Sequence, residues 1–184
     1  MNKFCFLPPP DYVTIDGHRY EINTDFRTWI SIIEAVSDNE CSLKHKLCFL
    51  LTNGYKNELP PNIDKAISAL MSFMNRHSAK SGSVKSNSSK LFDFTADEKL
   101  IYAAFMQQYG IDLYRSNMHW HEFCALFSAL DENCAFMKTV FYRSVDISKI
   151  KDTDKKKFYR KMKNLCKLES TVDDKSIAGA LLLS

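Results

Sequence analysis

The stretch SNMHWHEFCALFSAL, residues 116–130, sets His119, His121, Glu122 and Cys124 within six consecutive positions, interleaved with Trp120 and Phe123. Side chains of these types hold metal ions or move protons, so their spacing decides whether enzyme chemistry has a place here. A zinc-protease helix carries His-Glu-x-x-His, two histidines one turn apart on one face, and the position that would complete it after His121-Glu122 is Ala125. On a helix starting near Met118, His119 and His121 diverge by about 160° and cannot clasp one ion together. His121 and Cys124 share a face at i, i+3, so a site built from these two and two ligands from elsewhere stays open as a lesser reading. Structural zinc wants four ligands, however, and no second pair has the spacing. The preferred reading is a helix with polar residues in its first turn and a core stripe of Trp120, Phe123, Cys124 and Phe127.

Other catalytic signatures are missing from the sequence. It has no Gly-x-Ser-x-Gly, no Gly-x-Gly-x-x-Gly and no phosphate loop, and only five glycines in all. Asp97-Glu98 reads as a helix start and Asp131-Glu132 as a turn between helices. The six cysteines fall mostly inside apolar helical patterns without a Cys-x-x-Cys pair, which favours reduced, structural thiols. The expectation is a protein that is not an enzyme and needs no cofactor.

The elements that would position these residues are mainly helical. Thirteen Phe against five Gly and five Pro, with 45% hydrophobic residues, describe a chain with a core to bury. Val13, Ile15, His18, Tyr20 and Ile22 alternate across Asp16-Gly17, a strong signal for a hairpin over 12–22. Thr24 can cap a helix with Phe26, Trp29, Ile30 and Ile33 as its stripe. Ser42 starts a second helix that Asn53-Gly54 stops, and a third follows Pro60-Pro61 through Ile63, Ala66, Ile67, Leu70, Phe73 and Met74. Thr95 and Glu98 form a capping box for a helix that is uncharged from Leu100 to Tyr109, read as central and buried, and Gly110 ends it.

Residues 77–90 carry six Ser, three Lys and one Gly, a composition that reads as a flexible insert. The expected architecture is a multi-helix bundle with a small N-terminal β-hairpin: a single helical domain over 1–168 interrupted by that insert, then a C-terminal tail over 169–184. The opening residues lack the apolar core of a signal peptide, and no apolar run approaches the roughly 20 residues of a membrane span, so the chain reads as soluble and intracellular.

Charge is distributed unevenly. Residues 149–167 hold nine Lys/Arg against two Asp, while the whole chain is only +3. On a helix starting near Asp152 or Thr153, Phe158, Met162 and Leu165 line one face, and Lys156, Arg160, Lys163 and Lys167 line the opposite one. Those four cations are the candidate partner-binding residues. They are either the solvated face of a docked helix or a docking surface for something acidic, a protein helix or a nucleic-acid backbone.

The blocks INTDFRTWI (22–30), DEKLIYAAFMQQYGIDL (97–113), MHWHEFCALFSAL (118–130) and FYRSVDISKIKDTDKKKFYRKMKNL (141–165), taken in order, resemble the bacteriophage gene-product-fifteen family of phages and prophages in Gram-positive hosts. The resemblance covers about 12–168. It implies a mostly helical interaction protein of the tail module, a tail assembly chaperone or a close relative, acting in the cytoplasm of the bacterial host. The implied partners are the tape-measure protein, tail-tube subunits and further copies of the chain, without a membrane. The alternative is a helical nucleic-acid-binding module using the basic helix near 153–167.

Overall fold

A computed structural model describes residues 7–75 and 91–168. The predicted Ser-rich insert at 77–90 and the tail at 169–184 lie outside the described residues. The chain is mainly helical, with one two-stranded antiparallel hairpin among the described residues, and it divides into two compact units. Among the described residues the first is formed by 7–75 together with 105–130, the second by 91–104 and 131–168.

In the first unit, β1 (Tyr12–Ile15) pairs with β2 (His18–Glu21), Ile15 opposite His18. Asp16 and Gly17 both take positive φ, 50° and 82°, the twist that a two-residue hairpin needs. Helix α1 (Phe26–Ser37) follows. Its N-cap is Asp25, one residue beyond the expected Thr24, with Oδ1 accepting from the Arg27 amide at 2.8 Å. The carbonyl of Thr24 is used elsewhere: it accepts from Trp120 N, and Met118 O accepts from Phe26 N. Asp25 and His119, each the N-cap of a helix, are thereby paired as an isolated β-bridge.

The buried row on α1 is Phe26, Trp29 and Ile32, where Ile30 and Ile33 were expected to share the stripe. The face is centred on Trp29, the largest side chain, which packs on Phe73 and stacks with Trp120 and donates from Nε1 to Asn23 O. Helix α2 (Leu43–Gly54) starts at Ser42 as expected. Gly54 is the last residue of the helix, with Tyr55 as its C-cap, and it takes no positive φ. A Cβ there would come within 2.5 Å of Leu70 Cδ1, so glycine lets α2 approach α3 (Ile63–Met74) closely. Buried Tyr55 then donates its hydroxyl to Ala66 O at 2.9 Å.

Helix α4 (Glu98–Tyr109) is divided between the units after Ala104. Its reciprocal N-terminal bonds come from Asp93 and Asp97, where Thr95 and Glu98 were expected: Asp93 Oδ1 accepts from Ala96 N, and Asp97 Oδ2 accepts from Asp93 N. The helix is also not buried all round. Ile101, Ala104 and Phe105 form the buried stripe, while Ala103, Met106, Gln107 and Gln108 are exposed, because uncharged positions such as the two glutamines remain well solvated. Gly110 closes it at φ 67° as expected.

Helix α5 (Trp120–Ser128) completes the first unit, its Phe123 stacked between Phe26 and Phe105 at ring distances of 4.8 and 5.3 Å. The second unit adds α6 (Ala135–Ser144), a 3₁₀ turn (Ile147–Lys149) and α7 (Thr153–Leu165). Phe136 is its buried anchor, edge-on to Phe92. Among the described residues no helix is long and apolar enough to cross a membrane.

Candidate interaction surface

The histidine cluster is built into the first unit's backbone. His119 is not helical: it is the extended N-cap of α5, at φ −69° and ψ 143°, so the divergence expected on a helical wheel does not hold and the two imidazoles lie 5.0 Å apart. Three of their ring nitrogens are directed at main chain. His119 Nδ1 accepts from His121 N at 3.0 Å and its Nε2 donates to Pro10 O at 3.1 Å, an arrangement that requires the Nε2–H tautomer. His121, 3% exposed, lies against Phe73 at 4.3 Å and donates Nε2–H to Phe73 O at 2.8 Å. Burial pushes the Cys124 thiol up to about 12. Among the described residues no three His, Cys, Asp or Glu side chains converge as a metal set. What His119 and His121 do here is cap α5 and tie it to Pro10 and to the end of α3.

The basic helix lies in the second unit and is rolled relative to the expected orientation. Phe158 and Leu165, expected on the packed face, are 51% and 70% exposed. Met162 is half-buried as expected, but its neighbours there are Tyr159 and Cys166, together with Lys156 and Lys163 from the predicted cationic face. Lysine stems are apolar enough to sit in such a seam with their ammonium groups at its edge. Lys163 Nζ donates to Val145 O at 2.9 Å, and Val145 is the C-cap of α6. In return, Arg143 of α6 donates from Nε to the carbonyl of Cys166, the C-cap of α7. Each helix therefore places a cation on the other's C-terminal carbonyls, where the helix dipole favours it. Of the four candidate cations, Arg160 and Lys167 are exposed, whereas Lys156 and Lys163 are half-buried. The four do not make one open face.

The surface α6 and α7 do present is aromatic. Phe141 meets Tyr159 at 6.2 Å, Tyr142 meets both Tyr159 at 6.3 Å and Phe158 at 6.4 Å, and the outer pair, Phe141 and Phe158, are each 51% exposed. An open groove of about 590 Å³ runs along α6 past Met137, Val140, Phe141 and Tyr142.

Residues 9–168 match the family model of the bacteriophage Gp15 protein. The chain belongs to this family. No curated protein and no solved structure matches it. The Gp15 match begins ahead of β1 and ends beyond α7, so the α6–α7 surface lies within the family region.

Two features of this Gp15 chain escaped the reading of its sequence. The aromatic cluster was signalled by a tripeptide that occurs twice, Phe141-Tyr142-Arg143 and Phe158-Tyr159-Arg160, once on each packed helix. The other is an ion pair between Arg143 and Asp97, for which no local signal exists.

Proposed function

We propose that the chain is a non-enzymatic tail assembly chaperone that binds the tape-measure protein, and tail-tube subunits with it, in the host cytoplasm during tail morphogenesis. The observation that carries the reading is membership of the Gp15 family over residues 9–168, joined to what the sequence resemblance implies for that family. The physical fit supports it. A tape-measure chain is expected to be long, helix-rich and prone to aggregate until tube subunits cover it. A protein that holds such a chain needs exposed apolar surface next to charge, and Phe141, Phe158 and Leu165 beside the lysines of α7 are of that kind.

Co-expression with the tape-measure product is the test. The expected result is a soluble complex that survives gel filtration. Two soluble proteins that elute separately would overturn the reading. The nucleic-acid alternative requires binding that weakens steeply with salt, about one counterion per phosphate contacted. The half-buried placement of Lys156 and Lys163 weighs against it.

A further inference from the structure

We infer that the α6–α7 face of the second unit takes an acidic amphipathic helix from a partner protein; the inference rests on the reading of the chain as a binding protein. The apolar part of the face is set by the four-ring cluster, with Phe141 and Phe158 half-exposed at its ends and Leu165 two turns beyond Phe158, about 10.5 Å along the helix. A helix with apolar residues at i, i+3, i+4 and i+7 spans that distance.

The charge of the occupant follows from what surrounds the rings. Lys138 lies one turn before Phe141, Lys155 one turn before Phe158 and Tyr159, and Lys161 one turn after Phe158, and all three are exposed. Helix α7 carries six cations against Asp154, and Glu132 stands at the rim of the groove. A partner with Asp or Glu beside its apolar stripe gains attraction on each side of the aromatic centre, whereas a basic one is repelled.

Two other occupants fit less well. A second copy presenting the same face would set Lys155 and Lys161 against their own counterparts. A nucleic-acid backbone would desolvate its phosphates over Phe158 and Leu165, and Lys163 is half-buried and turned to Val145 O.

The test uses the full chain and a fluorescein-labelled peptide of about 18 residues, leucine along one stripe and glutamate elsewhere, with a lysine-for-glutamate counterpart and a labelled oligouridine of similar length. Fluorescence anisotropy is expected to show binding of the acidic peptide alone. Lys155→Glu with Lys161→Glu, and separately Phe158→Ser, should each weaken it by about tenfold or more while the melting temperature holds, since these side chains are exposed. Equal binding of both peptides, no binding, indifference to both variants, or preference for the oligouridine overturns the inference. So does a gain of about tenfold on removing residues 169–184, which carry Glu169, Asp173 and Asp174 followed by Ile177 and three leucines, because the face would then belong to the chain's own end. The two readings fail differently. If the charge-reversed variant still co-purifies with the tape-measure product, the face is wrong and the chaperone reading stands. If the wild-type chain binds the peptide but not that product, the reverse holds.

Discussion

The guanidinium of Arg143 closes on the carboxylate of Asp97 through two parallel hydrogen bonds of 2.6 and 2.9 Å, with side chains only 10% and 2% exposed. The same arginine also donates to Leu91 O and Cys166 O, and the same aspartate receives the amide of Asp93. One side chain thus joins the start of α4, the end of α6 and the end of α7. Removing one partner of such a pair leaves the other charge buried and alone, so Arg143→Ala should cost about 3–5 kcal/mol. Arg143→Lys keeps the charge but cannot reach both carboxylate oxygens and two carbonyls from one ammonium, and should still lose about 2 kcal/mol. Urea denaturation followed by circular dichroism measures both; a lysine variant as stable as wild type would show that charge alone suffices.

Gly54→Ala should destabilise the first unit although alanine is the better helix former by about 1 kcal/mol. The added methyl would press on the tip of Leu70, which is fully buried and must shift within the core, at an overpacking cost of about 1–3 kcal/mol. Leu70→Val in the same chain should recover part of the loss. A double-mutant cycle decides it, and strictly additive effects would locate the cause outside this contact.

His119→Ala should cost about 0.5–2 kcal/mol, the range of a lost N-cap. Asparagine at the same position can still accept from His121 N and should lose less, giving up only the bond to Pro10 O. Dialysis against a chelator should leave the melting temperature unchanged. A chelator-induced drop would return His121 and Cys124 to consideration as ligands.

Alkaline pH should weaken the fold through two acids, the buried Tyr55 and the half-buried Cys124. Burial, with the Tyr20 hydroxyl as a second cause, pushes Tyr55 from 10.0 up to about 12, and burial pushes Cys124 from 9.0 up to about 12. Between those ordinary values and 12 the unfolded chain sheds protons that the folded chain retains, so stability present below pH 9 is lost as the pH climbs toward 12. Tyr55→Phe and Cys124→Ala should each flatten the decline, read from urea midpoints at pH 8, 9.5 and 11 (about one step per unit or more of titration). A slope identical to that of wild type in both variants would assign the loss to other groups.

The features readable along the chain were those whose cause is local. Asp16-Gly17 forces a turn, Ser42 caps whatever helix follows it, and Gly110 accepts a left-handed backbone. The rotation of a helix about its own axis is settled by its neighbours instead. Residue spacing on α7 put Phe158 on the packed side, whereas against the opposing Phe141 and Tyr142 it is Tyr159 that is half-buried. His119 illustrates a boundary effect: two residues' difference in the helix start turned rings expected on opposite faces into neighbours. The Asp97–Arg143 pair spans 46 residues, and nothing near either residue announces the other.

The bridge between Asp25 and His119 carries a consequence for the newly made chain. The start of α1 is completed by bonds to Met118 and Trp120, and Arg27 reaches the carbonyls of Leu113 and Ser116, all supplied some ninety residues later. At about 5–20 residues per second, a ribosome needs roughly 5–20 s to deliver that strand-like segment after α1 has been made. Throughout that interval Phe26 lacks Phe123 and Trp29 lacks Trp120, so a protein whose proposed work is to shield another chain's apolar surface emerges with its own uncovered.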